Sequence, residues 1–144
     1  MILVDANLLL YAYHAGAKQH AAARAWLEAA LSGPEPVGFP WPSVWAFLRV
    51  ATNRRVFERP LSVDEATAAV SSWLAQPNAV LVGPGERHWE LVQALVKQGQ
   101  ATGPLVMDAA LAALALEQGA TLYSSDQDFA RFEQLEWVNP LAAP

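Results

Sequence analysis

The chain contains no cysteine, so it can form neither disulfide bonds nor thiolate metal sites. Such a composition is typical of proteins in a reducing compartment. No basic stretch precedes the first apolar run, as a signal peptide would require. The sequence contains no run of about 18 apolar residues, which is the length that a membrane-spanning helix needs. We therefore expect a cytoplasmic protein without membrane association.

Charge is also scarce, since only 16% of the residues are charged and the net charge is -5. An acidic balance argues against a protein that holds nucleic acid by bulk electrostatics. The 53% hydrophobic content argues against disorder and predicts an apolar surface that a partner covers. With 144 residues, the chain has the size of one domain, spanning 1–144, that can bury a proper core.

Short apolar runs alternate with helical patterns along the chain. Strands are predicted at 1–4, 37–39, 79–82, 120–124 and 137–138, with helices between them. This alternation predicts a parallel sheet with helices on both faces. We expect the strand at 79–82 to be buried and Trp89 to face inward, Ser43 to cap one helix, and Ser62 with Glu65 to form a capping box.

Four of the five aspartates occupy positions where a parallel sheet would bring them together. Asp5 follows the first strand, Asp126 and Asp128 follow another, and Asp108 begins a helix. Because ligands bind at the carboxyl ends of the strands in an open α/β sheet, we expect these groups to meet there. Each alone could be a helix cap or a helix-dipole charge worth about 1 kcal/mol, but together they indicate a site.

Clustered carboxylates repel one another unless a cation lies between them. Oxygen ligands in a chain without cysteine favour Mg²⁺, with Mn²⁺ as the alternative. A metal held in this way suits the hydrolysis of phosphodiesters. Asn7, Ser124 and Ser125 lie beside the aspartates in sequence and could orient a carboxylate or a water molecule.

Four of the nine basic residues fall in one short window, at Arg49, Arg54, Arg55 and Arg59. One interpretation is a solvated helix end, because arginine is favourable near a helix C-terminus. The other interpretation is a local phosphate-binding patch on an otherwise acidic protein.

The order and spacing of several segments resemble a PIN-domain ribonuclease, specifically a VapC-type toxin of the type II toxin–antitoxin systems. The matching segments are VDAN (4–7), WPSVWAFLRVATNRRVF (41–57), MDAALAALALEQGATL (107–122), SSDQDFARF (124–132) and WVNPL (137–141). The resemblance implies a three-layer α/β/α sandwich around a central parallel sheet of about four to five short strands.

The family surrounds Mg²⁺ with four acidic residues, and the resemblance carries this role to three positions here. The first acid falls on Asp5, the third on Asp108 and the fourth on Asp126, with Asp128 close behind. The family's second acid, a glutamate in the helix after the second strand, has no match, because Phe47 stands at that position.

The implied activity is Mg²⁺-dependent cleavage of RNA, often a tRNA or rRNA stem-loop. The resemblance also implies a cognate VapB-type antitoxin, a homodimer, and contacts from Arg49, Arg54 and Arg55 to RNA phosphates.

Three other functions fit the sequence less well or in part. The chain could be a PIN-like module that has lost catalysis with the missing glutamate and binds RNA or an antitoxin. An aspartyl-phosphate enzyme of the haloacid-dehalogenase kind would need an acid where Asn7 stands and a lysine after Lys97. A dinucleotide-binding fold would need a glycine-rich loop after the first strand, which is absent.

Overall fold

Five short parallel strands lie at the centre of the computed structural model, which describes residues 1–142, in the order β3-β2-β1-β4-β5. Residues 143 and 144 of the expected domain lie outside the described residues. The elements are β1 (Ile2–Val4), α1 (Ala6–Tyr13), α2 (His20–Ser32), β2 (Val37–Pro40), α3 (Trp41–Ala51), α4 (Val63–Leu74), β3 (Ala79–Val82), α5 (His88–Gln98), α6 (Leu105–Gln118), β4 (Thr121–Tyr123), a 3₁₀ turn (Gln127–Arg131) and β5 (Trp137–Val138).

Helices cover both faces of this sheet, which confirms the predicted three-layer α/β/α architecture. One core contains Val4, Phe39 and Phe47 and is built with helices α1 to α4. The other contains Leu3 and Leu122 and is built with α5 and α6. Successive side chains of β1 alternate between the two cores, as the pleat of a strand requires. Within residues 1–142, every helix is too short or too polar to cross a membrane.

The central position of β1 places its carboxyl end beside that of β4. Leu3 pairs with Leu122 and Val4 pairs with Tyr123. The backbone N–H of Asp5 then donates to the Tyr123 carbonyl at 3.0 Å. The chain therefore leaves both strands at adjacent points on one edge of the sheet.

The predicted capping box is present, but the predicted cap at Ser43 is wrong. Ser62 accepts from the Glu65 backbone, and the Glu65 side chain accepts from the Ser62 backbone, each at 3.0 Å. In contrast, α3 begins at Trp41 with Pro40 as its N-cap, and Ser43 is buried inside the first turn. Pro42 is tolerated in the first turn because a backbone N–H at that position would have no partner within the helix. The helix can therefore begin earlier than expected.

Two expectations about burial are also wrong. β3 lies at the edge of the sheet, and its Val80 and Leu81 side chains are exposed. Trp89 points to solvent, because His88 takes the inward position at the start of α5. The buried face of α5 therefore runs from His88 through Val92 and Leu95, which is the spacing of one helix face.

Phe47, which was predicted to stand at the position of the family's second acid, is a core residue in this chain. Its ring is fully buried and lies 4.8 Å from the ring of Trp73 and 5.7 Å from the ring of Tyr13, measured between centroids. Helix α3 contains no acidic residue. A carboxylate at position 47 would therefore be surrounded by aromatic rings.

Phe47→Glu should reduce the free energy of unfolding by about 3 kcal/mol or more, because it buries an unpaired charge. Chemical denaturation would measure the change, with Phe47→Leu as the apolar control that should lose less. A Phe47→Glu protein as stable as the wild type would contradict this assignment of position 47 to the core.

Candidate metal centre

Asp5 links the exit of β1 to the start of α1. Its backbone is extended, and its Oδ1 accepts a hydrogen bond from the Ala6 backbone N–H at 2.7 Å. Its Oδ2 accepts from the Ser124 hydroxyl, also at 2.7 Å. Asp5 is thus both a helix cap and a carboxylate fixed at the edge of the sheet.

Ser124 connects the two strand exits and has no exposed surface. Besides donating to Asp5, its hydroxyl accepts from Asn7 Nδ2 at 3.2 Å and from the Asp126 backbone N–H at 3.0 Å. Asn7 and Ser124 therefore lie where the sequence predicted supporting residues. The Ser125 side chain forms no hydrogen bond with residues 1–142.

Three carboxylates converge next to this network. Asp126 begins the 3₁₀ turn, and its Oδ1 accepts from the Asp128 backbone N–H at 2.9 Å. Asp108 lies in the first turn of α6. One oxygen from each of Asp108, Asp126 and Asp128 lies within 4.8 Å of the others. The sequence predicted Asp5, Asp108 and Asp126 as metal ligands, whereas the group within this distance contains Asp128 in place of Asp5.

The pKa values of Asp5 and Asp108 are raised. Burial is the main cause that raises the pKa of Asp5, and the hydrogen bonds from Ser124 and Ala6 oppose it. The pKa of Asp108 is raised to about 6, first by partial burial and then by Asp126, Asp5 and Asp128. A cation among these groups would relieve the repulsion.

The donor set fits a hard divalent cation. It consists of carboxylate oxygens, and cysteine is absent from the chain. In addition, the side-chain oxygen of Asn7 is buried and has no hydrogen-bond partner among residues 1–142. An unpaired buried acceptor is costly, so a water or cation at this position would stabilise the protein. The residues present therefore suit Mg²⁺ or Mn²⁺.

The three arginines that were predicted to contact RNA lie in the last turn of α3 and in the loop after it. Helix α3 begins beside the carboxyl end of β2, and Arg49 lies in its last turn, about 12 Å along the axis from its start. Arg54 and Arg55 follow in the next loop, and all three side chains are exposed. The positively charged side chain that lowers the pKa of Asp108 is that of Arg131, which was not predicted from the sequence.

A groove in the described part of the chain lies away from these carboxylates. It has a volume of about 540 Å³ and lies among α1, α2 and α4, with Tyr13, Leu27 and Trp73 in its lining. None of the four aspartates lines this groove. The candidate site is therefore identified by its charges and hydrogen bonds, and the groove is a separate feature.

Comparisons with known proteins agree with this fold. The PIN domain family model matches residues 2–135. A VapC ribonuclease of Mycobacterium bovis is 45% identical over 141 residues, covering 98% of this chain and 96% of the relative. Ribonuclease VapC37 of Mycobacterium tuberculosis is 44% identical over 142 residues, covering 99% of each chain. The chain belongs to the PIN domain family.

Solved structures share the fold at lower identity. VapBC2 of Rickettsia felis, bound to a promoter DNA fragment, matches with a TM-score of 0.68 and 17% identity over 96% of this chain and 98% of its own. The sarcin–ricin loop cleaving toxin VapC20 of Mycobacterium tuberculosis matches with a TM-score of 0.66 and 20% identity over 90% and 93% of the two chains.

Asp108→Asn should stabilise the metal-free protein at neutral pH. The pKa of Asp108 is about 6 in the folded state and 3.8 in the reference state, so folding favours the protonated form. Its contribution to stability is present below pH 3.8 and is lost as the pH rises through about 6. Because Asp108 is partly exposed, we expect a gain of about 1 kcal/mol or less.

Thermal unfolding of wild type and Asp108→Asn in a chelator, at acidic and neutral pH, would measure this gain. The difference between the two proteins should grow as the pH rises toward neutrality. A variant less stable than the wild type at neutral pH would contradict the repulsion described here.

Proposed function

We propose that this chain, as one PIN-like domain over 1–144, is a Mg²⁺-dependent endoribonuclease toxin of a VapBC-type toxin–antitoxin module. It hydrolyses RNA phosphodiesters, in tRNA, rRNA or another structured RNA, and thereby inhibits translation and growth. The observation that carries the proposal is the convergence of Asp108, Asp126 and Asp128 within 4.8 Å beside Asp5. Membership of the PIN family supports the same activity.

In this proposal each polar group has a defined task. Asp108, Asp126 and Asp128 hold the cation, and Asp5 completes the catalytic set at the adjoining strand exit. Bound there, Mg²⁺ lowers the pKa of a water molecule and neutralises charge on the phosphate. Ser124 fixes the Asp5 carboxylate, and the unpaired oxygen of Asn7 is available to orient water.

Exposed apolar surface supports the proposed partners. The indoles of Trp41 and Trp45 stack with centroids 6.0 Å apart, and the Trp45 side chain is 60% exposed. With the β3 edge, this surface suits a homodimer contact, which light scattering can measure. The groove among α1, α2 and α4 suits an apolar segment of a VapB-type antitoxin, and toxin–antitoxin complexes are among the structures that share this fold.

We assign the chain to the cytoplasm, where its RNA substrates are found. The exposed Arg49, Arg54 and Arg55 are assigned to RNA phosphates away from the cut. Native gel electrophoresis with an Arg54→Ala, Arg55→Ala double variant tests that assignment, since unchanged RNA affinity would exclude it.

A second candidate function rests on Phe47. Because this side chain is fully buried among aromatic rings, α3 supplies no carboxylate to the site. A PIN-like module that binds RNA or an antitoxin without cutting RNA would tolerate this loss.

Purified chain, freed of antitoxin, should cleave RNA in Mg²⁺ and stop when EDTA is added. Asp5→Asn and Asp108→Asn should each reduce the cleavage rate at least about 100-fold, because they remove charge from the catalytic set. Asp64→Asn is the matched control, since Asp64 is an exposed aspartate in the first turn of α4 and should keep full activity.

Gel analysis of tRNA and rRNA after incubation, together with growth arrest on expression, would measure these effects. Full activity in Asp5→Asn and Asp108→Asn would show that the site is wrongly assigned. Wild-type protein that binds RNA but leaves it uncut in both Mg²⁺ and Mn²⁺ would favour the binding module.

A further inference from the structure

Arg131 joins the two segments that carry the clustered carboxylates. It ends the 3₁₀ turn that follows Asp126 and contains Asp128. Its guanidinium Nη1 donates to the Gly99 carbonyl at 2.9 Å. Gly99 is the C-cap of α5, at the start of the loop that leads to α6 and Asp108. One hydrogen bond thus connects the β4 side of the site to the α5–α6 hairpin.

Two further contacts lie along the same junction. A Cβ atom on Gly99 would lie 2.7 Å from Cε1 of Phe132, so the turn packs against this backbone without room for a side chain. The Gln134 side-chain amide donates to Gln98 Oε1 at 3.3 Å. The residues that follow the 3₁₀ turn therefore lie against the end of α5 over several positions.

Arg131 is not held by the acids around it. Although it lies close enough to act on Asp108, no ion pair within 4.0 Å involves Arg131 among residues 1–142. Its hydrogen bond goes to the neutral Gly99 carbonyl, so this contact ties the two segments together.

We propose that Arg131 is a positioning residue of the metal centre, which sets the separation between Asp108 and the Asp126–Asp128 turn through its bond to Gly99. The inference rests on the proposed function, because it assigns these carboxylates to a cation. Losing the tie would let the hairpin and the turn move apart, so the three oxygens would no longer lie within reach of one ion.

A positioning role and a purely electrostatic role predict opposite changes in metal affinity. Removing a cation near carboxylates would strengthen the binding of a divalent ion if charge alone mattered. Removing a tie would weaken it. The sign of the change therefore separates the two roles.

Isothermal titration with Mn²⁺ would measure the affinity of wild type, Arg131→Ala, Arg131→Lys and Gly99→Ala. We expect Arg131→Ala to bind about 10- to 100-fold more weakly, as is typical for loss of a residue that orients metal ligands. Arg131→Lys should recover part of the affinity, because lysine can donate to the same carbonyl. Gly99→Ala leaves every charge in place and should also weaken binding, since it displaces Phe132.

Arg87→Ala is the matched control, because Arg87 is an exposed arginine at the opposite end of α5 from Gly99 and should leave Mn²⁺ affinity unchanged. Circular dichroism would establish that each variant is folded, and Gly99→Ala decides the question if Arg131→Ala does not fold.

Unchanged or stronger Mn²⁺ binding in folded Arg131→Ala or Gly99→Ala would overturn the positioning role. Stronger Mn²⁺ binding by Arg131→Ala together with weaker binding of a mixed-sequence RNA oligonucleotide in Ca²⁺ would instead make Arg131 a phosphate contact. Wild-type protein that binds no Mn²⁺ would overturn the proposed function itself.

Discussion

The hydrogen bond from the Ser124 hydroxyl to Asp5 is the contact on which the site depends. It joins the exits of two adjacent central strands, and the same hydroxyl receives hydrogen bonds from Asn7 and from the backbone of Asp126. Because Ser124 is fully buried, water cannot replace these partners. The sheet thereby fixes the direction in which the segments with Asp5 and Asp126 leave it. The proposed metal site depends on these two directions.

Near this contact the other three aspartates of the site repel Asp108, and Arg131 offsets only part of that repulsion. The pKa values of Asp5 and Asp108 are both raised, which means that the ionised cluster opposes folding in the absence of a cation. The two large apolar cores on either side of the sheet supply the stability that tolerates this repulsion. We therefore expect cation binding at these carboxylates to favour folding.

Sequence patterns predicted the features that depend on residues close together in the chain. The strands, the parallel sheet and the approach of Asp108 to Asp126 follow from apolar periodicity and from the position of acids at strand exits. Tertiary packing decided the rest. Ser43 lost its predicted cap to Pro40, Trp89 lost the inward position to His88, and Arg131 was not predicted because its partner is a backbone carbonyl distant in sequence.

The central claim is that one divalent ion binds among three aspartates in a site that receives no acid from α3. Mn²⁺ titration at neutral pH, followed by electron paramagnetic resonance of the free ion, measures the number of ions bound per chain most directly. We expect one ion bound per chain. A second ion bound with similar affinity, or no bound ion at all, would contradict it.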